Sequence, residues 1–343
     1  MTVNEIPRKN AMQGSYRVLG ALGSPYSLKM RGILRYRRIP HVWIQTNSTH
    51  DGERAKVKPA VIPVIQYPDG SYHNDSTPMI YDLERLHPER SIIPEDAGDA
   101  FLAKLLEDMA DEWGTKLMFH YRWFRARDQE QMSHWLAFDR FAGGGRSKIK
   151  AFATNFRDRQ VGRMALVGCT EENQPLIEET GRLILGALES HVVDNWFFFG
   201  SRPSLAEFAW FGQLSQLIVD PTPNDLLRAT APFTVRWLMQ VDDLSGVDGE
   251  WQARRNAPVI ERLLDLAGRI YFPFLLANEE AAKRGAETFR FEALGMPYGQ
   301  GTFKYQMKCL WALREAYAAL AQADRARIDP LLEKTGCRAP LAS

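Results

Sequence analysis

The sequence predicts two domains of different class, a small α/β domain followed by a domain built only of helices. Strand-like and helical segments alternate between residues 15 and 90, whereas strand signals disappear from Asp99 onward and long helical patterns follow. Pro94 and Gly98 punctuate the stretch between the two regions, which is typical of a linker. At 343 residues and 45% hydrophobic content, the chain can bury a large core.

The first half of the α/β domain has the order strand, helix, strand. A polar lead over residues 1–14 precedes an alternating strand at 16–22. Gly23-Ser24-Pro25 then opens a helix over 26–36, and the apolar run 41–45 is a second strand. These elements form one compact α/β unit with the segment that follows.

The second half of this domain combines three features within a short stretch. Pro63 lies inside the apolar run 61–65, where a proline belongs at a strand start or in a tight turn, in the cis or trans form. Residues 67–70 predict the turn of a β-hairpin. Asp75 or Ser76 then caps a helix whose free amides can hold an anion. Together these features predict a small-ligand site.

The second domain is predicted to be all-helical over residues 99–244. Its helices are predicted near 99–126, 128–142, 147–164, 172–194, 204–219 and 223–241. The sharpest local signal is Ser204 followed by Glu207, a capping box ahead of an apolar helix. Residues 245–343 add helical runs near 256–283 and 302–321, so they are predicted to be a helical extension.

Composition argues against several functional classes. Lysine and arginine (43) nearly balance aspartate and glutamate (42), so no bulk field attracts nucleic acid or an acidic membrane. No stretch approaches the roughly 20 apolar residues of a membrane span, and the first residues lack the apolar core of a signal peptide. Three distant cysteines fit a reduced compartment, and the histidines show no metal-ligand spacing. We therefore expect a cytoplasmic protein without a metal.

The order of proline strand, hairpin and Asp-Ser helix start resembles the cytosolic glutathione transferases. The resemblance covers roughly residues 15–244 and includes the capping box. It implies a thioredoxin-like N-terminal domain that holds glutathione as cosubstrate, an all-α domain, and a homodimer. In that family the residue before the cis-proline binds the cysteinyl part of glutathione, which implies Ile62 before Pro63. An acidic residue followed by serine holds the γ-glutamyl end, which implies Asp75 and Ser76; the family more often has glutamate at the first position.

The resemblance also implies a catalytic serine. Ser24 precedes Pro25 at the helix start, where the first residue of such a stretch favours the thiolate of glutathione through a hydrogen bond. The alternative is that Ser24 only caps the helix. Two other hydroxyl groups are less suitable, since Ser27 lies one turn into the helix and Tyr16 comes too early in the strand.

Two further predictions concern the glycyl end of glutathione and the pocket for the electrophile. Lys58, or Lys56, is placed to meet the glycyl carboxylate of glutathione. Five aromatic residues crowd one helix and either line a pocket for an apolar electrophile or belong to the core: Trp113, Phe119, Tyr121, Trp123 and Phe124.

The predicted function is a glutathione transferase whose bound thiolate attacks a small apolar electrophile. Conjugation, isomerisation or reductive removal of a group fits a serine at position 24 better than thiol-disulfide exchange does. Two alternatives remain open at this point. One is a non-enzymatic binding or scaffold protein of the same fold, and the other is a glutathione-dependent lyase or dehalogenase.

Overall fold

The N-terminal domain is a four-stranded sheet with helices against it. The computed structural model describes residues 14–254 and 257–342, so most of the predicted polar lead lies outside the described residues. The elements are β1 (Tyr16–Gly20), α1 (Pro25–Tyr36), β2 (His41–Gln45), a 3-10 turn (Ser48–His50), α2 (Asp51–Arg54), β3 (Val64–Gln66), β4 (Tyr72–His73) and α3 (Ser76–Leu86).

The sheet has the strand order β2-β1-β3-β4. β1 pairs with β2 in parallel, with Val18 opposite Trp43, because α1 provides the crossover that a parallel pair requires. β3 runs antiparallel to both β1 and β4, and the turn at 67–70 joins β3 to β4. This is the predicted thioredoxin-like arrangement, and its order of elements is confirmed.

The second domain is helical, as predicted. Its helices are α4 (Ala97–Met109), α5 (Thr115–Trp123), α6 (Ala126–Phe141), α7 (Arg146–Val161), α8 (Gln174–Val192), α9 (Leu205–Leu217), α10 (Pro221–Thr230) and α11 (Pro232–Val241). Two predicted helices are interrupted. A π-helical turn at Ala110–Gly114 separates α4 from α5. The predicted helix over 223–241 breaks at Ala231, because Pro232 cannot continue it.

The segment after residue 244 is not purely helical, which corrects the prediction of a helical extension. α12 (Ala257–Leu266), a π-helical turn (Ala267–Tyr271) and α13 (Phe272–Lys283) match the first helical run. An antiparallel hairpin of β5 (Thr288–Ala293) and β6 (Met296–Gly301) follows. α14 (Lys304–Ala319), α15 (Gln322–Lys334) and α16 (Arg338–Ala342) complete the described chain. The turn at Leu294-Gly295 has positive φ at both residues, which a glycine accommodates.

The two domains are joined by close packing of α1 on α9. A Cβ at Gly212 would lie 2.8 Å from the carbonyl oxygen of Pro25, so only glycine permits this approach. Arg31 extends the interface through an ion pair with Asp242 at 2.6 Å. Within the described ranges, no helix has the length and apolar character needed to cross a membrane.

The predicted capping box at the start of α9 is confirmed. The Ser204 hydroxyl accepts a hydrogen bond from the Ala206 amide at 3.2 Å, and the Ser204 amide donates to Glu207 at 2.9 Å. Glu207 also accepts the amide of Phe198, which ties the preceding loop to the helix. Burial raises the pKa of the Glu207 carboxyl to about 7.

Candidate functional site

A cavity of about 350 Å³ lies between the N-terminal domain and the helical domain. Its N-terminal wall consists of Tyr26, Lys58, Pro59, Val61, Ile62, Pro63, Asn74, Asp75, Ser76 and Thr77. Its other wall consists of Asp108, Asp111 and Glu112 from the helical domain and Tyr305 from α14. The cavity therefore includes Lys58, Ile62, Pro63, Asp75 and Ser76, five of the residues that the sequence predicts for a ligand site.

The proline strand forms one side of this cavity. The peptide bond between Ile62 and Pro63 is cis, and so is the bond between Lys58 and Pro59. The Asn74 side-chain amide donates to the Pro59 carbonyl oxygen at 2.7 Å, which fixes this loop beside the start of α3. Lys56, the alternative to Lys58, stands over the Tyr72 ring at 4.2 Å and does not line the cavity.

The Asp-Ser pair lies at the start of α3, where it was expected. Asp75 occupies the N-cap position with φ of 73°, but its side chain makes no capping hydrogen bond. A positive φ is uncommon for a residue other than glycine and marks a position worth a functional hypothesis. Ser76 is buried, and its hydroxyl makes no hydrogen bond to any described residue. The Ser76 hydroxyl is therefore available to a ligand. Burial raises the pKa of the Asp75 carboxyl group, and the Thr77 backbone amide partly offsets this, so a cationic ligand group would favour its ionised form.

Ser24 is not among the residues that line the cavity. It is the N-cap of α1 and accepts the Ser27 amide at 3.3 Å, which is the alternative role considered for it. The Gly23 carbonyl oxygen beside it accepts a hydrogen bond from Arg122 at 2.9 Å, so the loop is anchored to the helical domain. The catalytic role of Ser24 stays a prediction.

Three other hydroxyl groups near the start of the domain have defined positions. The Tyr16 hydroxyl shares a hydrogen bond with His87 at 2.8 Å and does not reach the cavity. Ser27 is fully buried in α1, and its hydroxyl has no hydrogen-bond partner among the described residues. Tyr26 lines the cavity and donates to the Asp111 carbonyl oxygen at 2.9 Å. Burial raises the pKa of Tyr26 well above its usual value, so this hydroxyl keeps its proton.

The helical wall of the cavity is acidic. Burial raises the pKa of Asp108 to about 6, of Asp111 to about 7 and of Glu112 to about 8. The Tyr271 hydroxyl donates to Asp108 at 2.6 Å, which orients that carboxyl group. Because these carboxyl groups lie close together in an enclosed space, a cationic ligand group would favour their ionised forms.

A buried ion cluster supports this wall from beneath. Lys29 on α1 is fully buried and contacts Glu107 at 2.6 Å and Asp111 at 2.7 Å. The Thr77 hydroxyl of α3 donates to the same Glu107 carboxylate at 2.6 Å. The two carboxylates raise the pKa of Lys29 above its ordinary value despite burial, so its charge is maintained. The cluster ties α1, α3 and the helical domain together directly below the cavity.

A second cavity of about 210 Å³ adjoins the first. It is lined by Glu112, Thr115, Lys116, Phe119, Val167, Gln300, Phe303, Tyr305 and Gln306. Glu112 and Tyr305 line both cavities and so form the boundary between them. Four of the lining residues belong to the segment after residue 244, which therefore closes a space that the helical domain leaves open.

The aromatic residues of the 99–126 region divide between the two predicted roles. Phe119 lines the second cavity. Trp113, Tyr121 and Trp123 are buried in the core, and Phe124 packs against it. Core packing is thus the main role of this stripe.

Sequence reasoning missed the acidic wall and the contribution of Tyr305. The available signal was the run from Glu107 to Glu112, which places four acidic residues inside a helix otherwise predicted as apolar core. A π-helical turn begins at Ala110, and such turns occur frequently at functional sites. Tyr305 carried no comparable signal, because it lies far along the chain in a region without a motif.

Residues 18–91 match the family described as glutathione S-transferase, N-terminal domain. The N-terminal domain belongs to the glutathione S-transferase superfamily. The match spans the strand, helix and hairpin that carry Ser24, Ile62, Pro63, Asp75 and Ser76. Curated protein sequences give no match to the chain.

Several solved structures are similar to the chain. One is the glutathione S-transferase of Methylobacterium radiotolerans in complex with glutathione sulfonate, at 21% identity and a TM-score of 0.42, covering 66% of this chain and 90% of that one. The Tau class enzyme of mango has 18% identity and a TM-score of 0.40, covering 72% and 96%. Beta-etherase LigF of Sphingobium sp. strain SYK-6 has 15% identity and a TM-score of 0.46, covering 66% and 95%.

Proposed function

We propose that this protein binds glutathione in the first cavity and directs its sulfur at an apolar electrophile in the second. The observation that carries the proposal is the gathering of Lys58, Ile62, Pro63, Asp75 and Ser76 around one cavity of about 350 Å³ in a glutathione S-transferase N-terminal domain.

Each end of glutathione has a complementary partner in this cavity. Asp75 and the Ser76 hydroxyl bind the γ-glutamyl end, where a charge-assisted contact to the ammonium is strong. The acidic wall formed by Asp108, Asp111 and Glu112 also favours that cation. The backbone of Ile62 pairs with the cysteinyl part, and the Lys58 ammonium meets the glycyl carboxylate.

The sulfur of glutathione lies toward the start of α1, where the positive end of the helix favours a thiolate. Ser24 is the proposed donor to this thiolate. Tyr26 is the competing donor, since it lines the cavity and keeps its proton. Comparing Ser24→Ala with Tyr26→Phe by the ultraviolet absorbance of the bound thiolate assigns the role, because only the true donor raises the thiol pKa when it is removed.

The adjoining cavity takes the electrophile. Its volume of about 210 Å³ and its rings from Phe119, Phe303 and Tyr305 suit a small apolar molecule. Holding that molecule beside the thiolate lowers the entropic part of the barrier. The chemistry is conjugation or a related thiolate attack, and we further propose a cytoplasmic homodimer as the working form.

Calorimetric titration with glutathione tests the proposal. We expect wild-type protein to bind, and Asp75→Ala to bind more weakly by about 1–3 kcal/mol because the ligand ammonium loses its charged partner. Asp82→Ala is the matched control, since it removes the same charge from α3 outside the cavity. Equal affinity of Asp75→Ala and wild type with an intact fold removes Asp75 from the site. Absence of any glutathione binding favours the non-enzymatic scaffold instead.

A further inference from the structure

The second cavity contains a buried amine without a carboxylate partner. Lys116 on α5 is only 3% exposed, yet no described carboxylate lies within ion-pair distance of it. Its Nζ atom donates to the Gln300 side-chain oxygen at 2.6 Å and to the Val167 carbonyl oxygen at 3.2 Å. Both acceptors are neutral, and the ammonium also lies over the Phe274 ring at 4.7 Å. One N–H bond therefore remains for another group, and no carboxylate balances the charge.

Gln300 holds the amine in place at the cavity wall. Its side-chain oxygen also accepts the Tyr298 hydroxyl at 2.9 Å, and its side-chain nitrogen donates to Gln306 at 3.3 Å. Both glutamines lie in the segment after residue 244 and line the same cavity as Lys116. Burying an ammonium beside neutral dipoles and rings is costly, so a purely structural role does not account for it.

Titratable groups surround Lys116 on three sides. Glu112 precedes it by four residues, Cys169 follows α7, and Tyr298 lies on β6. Burial lowers the pKa of Lys116 to about 8 and raises that of Cys169 to about 12. Burial also raises the pKa of Glu112 to about 8 and that of Tyr298 well above its usual value. At neutral pH the cavity wall therefore carries one cationic amine, Lys116, and one neutral carboxylic acid, Glu112, while Cys169 and Tyr298 behind the wall stay neutral.

We propose that Lys116 binds the carbonyl oxygen of the electrophile and that Glu112 supplies a proton to its α-carbon, so that the preferred substrates are small apolar α,β-unsaturated carbonyl compounds. This assignment rests on the proposed glutathione transferase function. The assignment also explains why Glu112 lines both cavities, since its proton must be delivered where the thiolate and the electrophile meet.

The reaction that follows is an addition without any redox change. The glutathione thiolate forms a carbon–sulfur bond at the β-carbon, and the carbon–carbon double bond shifts to give an enolate. The Lys116 ammonium stabilises the negative charge on the enolate oxygen, as preorganised donors do for developing oxyanions. The α-carbon takes a proton from Glu112, and the proton released by the glutathione thiol restores the acid. Glutathione and the enone together give one thioether.

Substrate selectivity tests Lys116 directly. We compare kcat/KM for 4-phenylbut-3-en-2-one, which has a carbonyl group, and for benzyl chloride, which has none. For Lys116→Met we expect about a 100-fold loss with the enone and less than about a threefold change with benzyl chloride. Lys308→Met removes an exposed lysine of α14 and should change neither. An equal loss with both electrophiles overturns the proposal.

The pH dependence of the ratio of the two rates provides a second readout. Dividing one rate by the other cancels the ionisation of the glutathione thiol, which both reactions share. The ratio should fall as pH rises above about 8, because Lys116 loses its charge and Glu112 its proton. Glu112→Gln removes one of these two ionisations and should leave the Lys116 part of the decline. A flat ratio in wild type contradicts the assignment.

A labelling experiment on the wild-type protein tests, without glutathione, whether a carbonyl compound binds beside Lys116. Cinnamaldehyde condenses with a neutral amine to give an imine and water, and cyanoborohydride reduces the imine to a stable secondary amine. At about pH 8 we expect peptide mass mapping to find the adduct at Lys116 in preference to exposed Lys308. Labelling of Lys308 but not Lys116 overturns the proposal. If calorimetry shows no glutathione binding but Lys116 is labelled, the proposed function fails while the carbonyl site stands.

Discussion

The buried cluster below the first cavity makes a strong prediction for stability. Lys29 is fully buried between Glu107 and Asp111, and it is the only lysine or arginine among the described residues paired with either carboxylate. Lys29→Met keeps a long unbranched side chain in the same space but removes the charge. The two carboxylates then lie in a buried position without a cation.

The expected cost follows from the burial of the pair. Breaking a buried ion pair by removing one partner typically costs about 3–5 kcal/mol, because the remaining charge is uncompensated. The side chains of Glu107 and Asp111 are 2% and 10% exposed, so water screens them little. Glu107 keeps the Thr77 hydroxyl as a donor, whereas one oxygen of Asp111 has no hydrogen-bond partner among the described residues. We therefore place the loss in the free energy of unfolding at about 3–5 kcal/mol near pH 8.

The sign of the pH dependence follows from Asp111. Burial already raises its pKa from 3.8 to about 7 in the folded protein, and removing Lys29 raises it further. A carboxyl group with a raised folded-state pKa binds more protons in the folded state than in the unfolded state. The destabilisation caused by burying the ionised carboxyl group therefore decreases as pH falls through its folded-state pKa. The Lys29→Met deficit should be smaller at about pH 5.5 than at about pH 8.

Urea unfolding at the two pH values measures this deficit, with the double variant Lys29→Met/Asp111→Asn as the matched control. The double variant removes a buried carboxylate together with its cation, so it should recover part of the lost stability at pH 8. Two results would refute the reasoning. One is a loss below about 1 kcal/mol at pH 8, and the other is an equal loss at both pH values.

Two further predictions concern serines at helix starts. Ser204→Ala should lower stability by about 1–2 kcal/mol without changing glutathione affinity, because it removes the cap of α9 and a donor to Glu207; a loss of affinity at an unchanged melting temperature would contradict this. Ser24→Cys should form a mixed disulfide with oxidised glutathione, because the helix start lowers a thiol pKa below about 8.5. Mass spectrometry detects the adduct above the wild-type background of three buried cysteines, with fully buried Ser27→Cys as the unreactive control. A folded, glutathione-binding Ser24→Cys protein that stays unmodified would show that position 24 does not face the sulfur.

The N-terminal domain was predictable because its signals are local. Pro63, the turn at 67–70 and the Asp75-Ser76 pair each constrain the backbone through their own chemistry. The capping box of Ser204 and Glu207 is local in the same sense. Such features depend on neighbours a few residues away, so the sequence alone places them correctly.

The rest of the site depends on contacts between distant segments. Asp111 lines the cavity and contacts Lys29, which reaches it because α1 packs closely against α9. The hairpin of β5 and β6 was missed because Gly299 and Gly301 interrupt the alternation of its second strand. The catalytic role predicted for Ser24 was also a local inference. The structure places Ser24 at the N-cap of α1 and not in the cavity lining, and its role stays a prediction.

The segment after residue 244 is best understood through the second cavity. α5 of the helical domain presents Thr115, Lys116 and Phe119 on one side of that space. The later segment encloses it from the other side with Gln300, Phe303, Tyr305 and Gln306. The Gln300 side-chain oxygen accepts a hydrogen bond from the Lys116 ammonium. Without them, that lysine would face water and its pKa would return toward the usual range. The segment thus creates the desolvated environment on which the proposed carbonyl selectivity depends, which gives it a chemical role in addition to its packing.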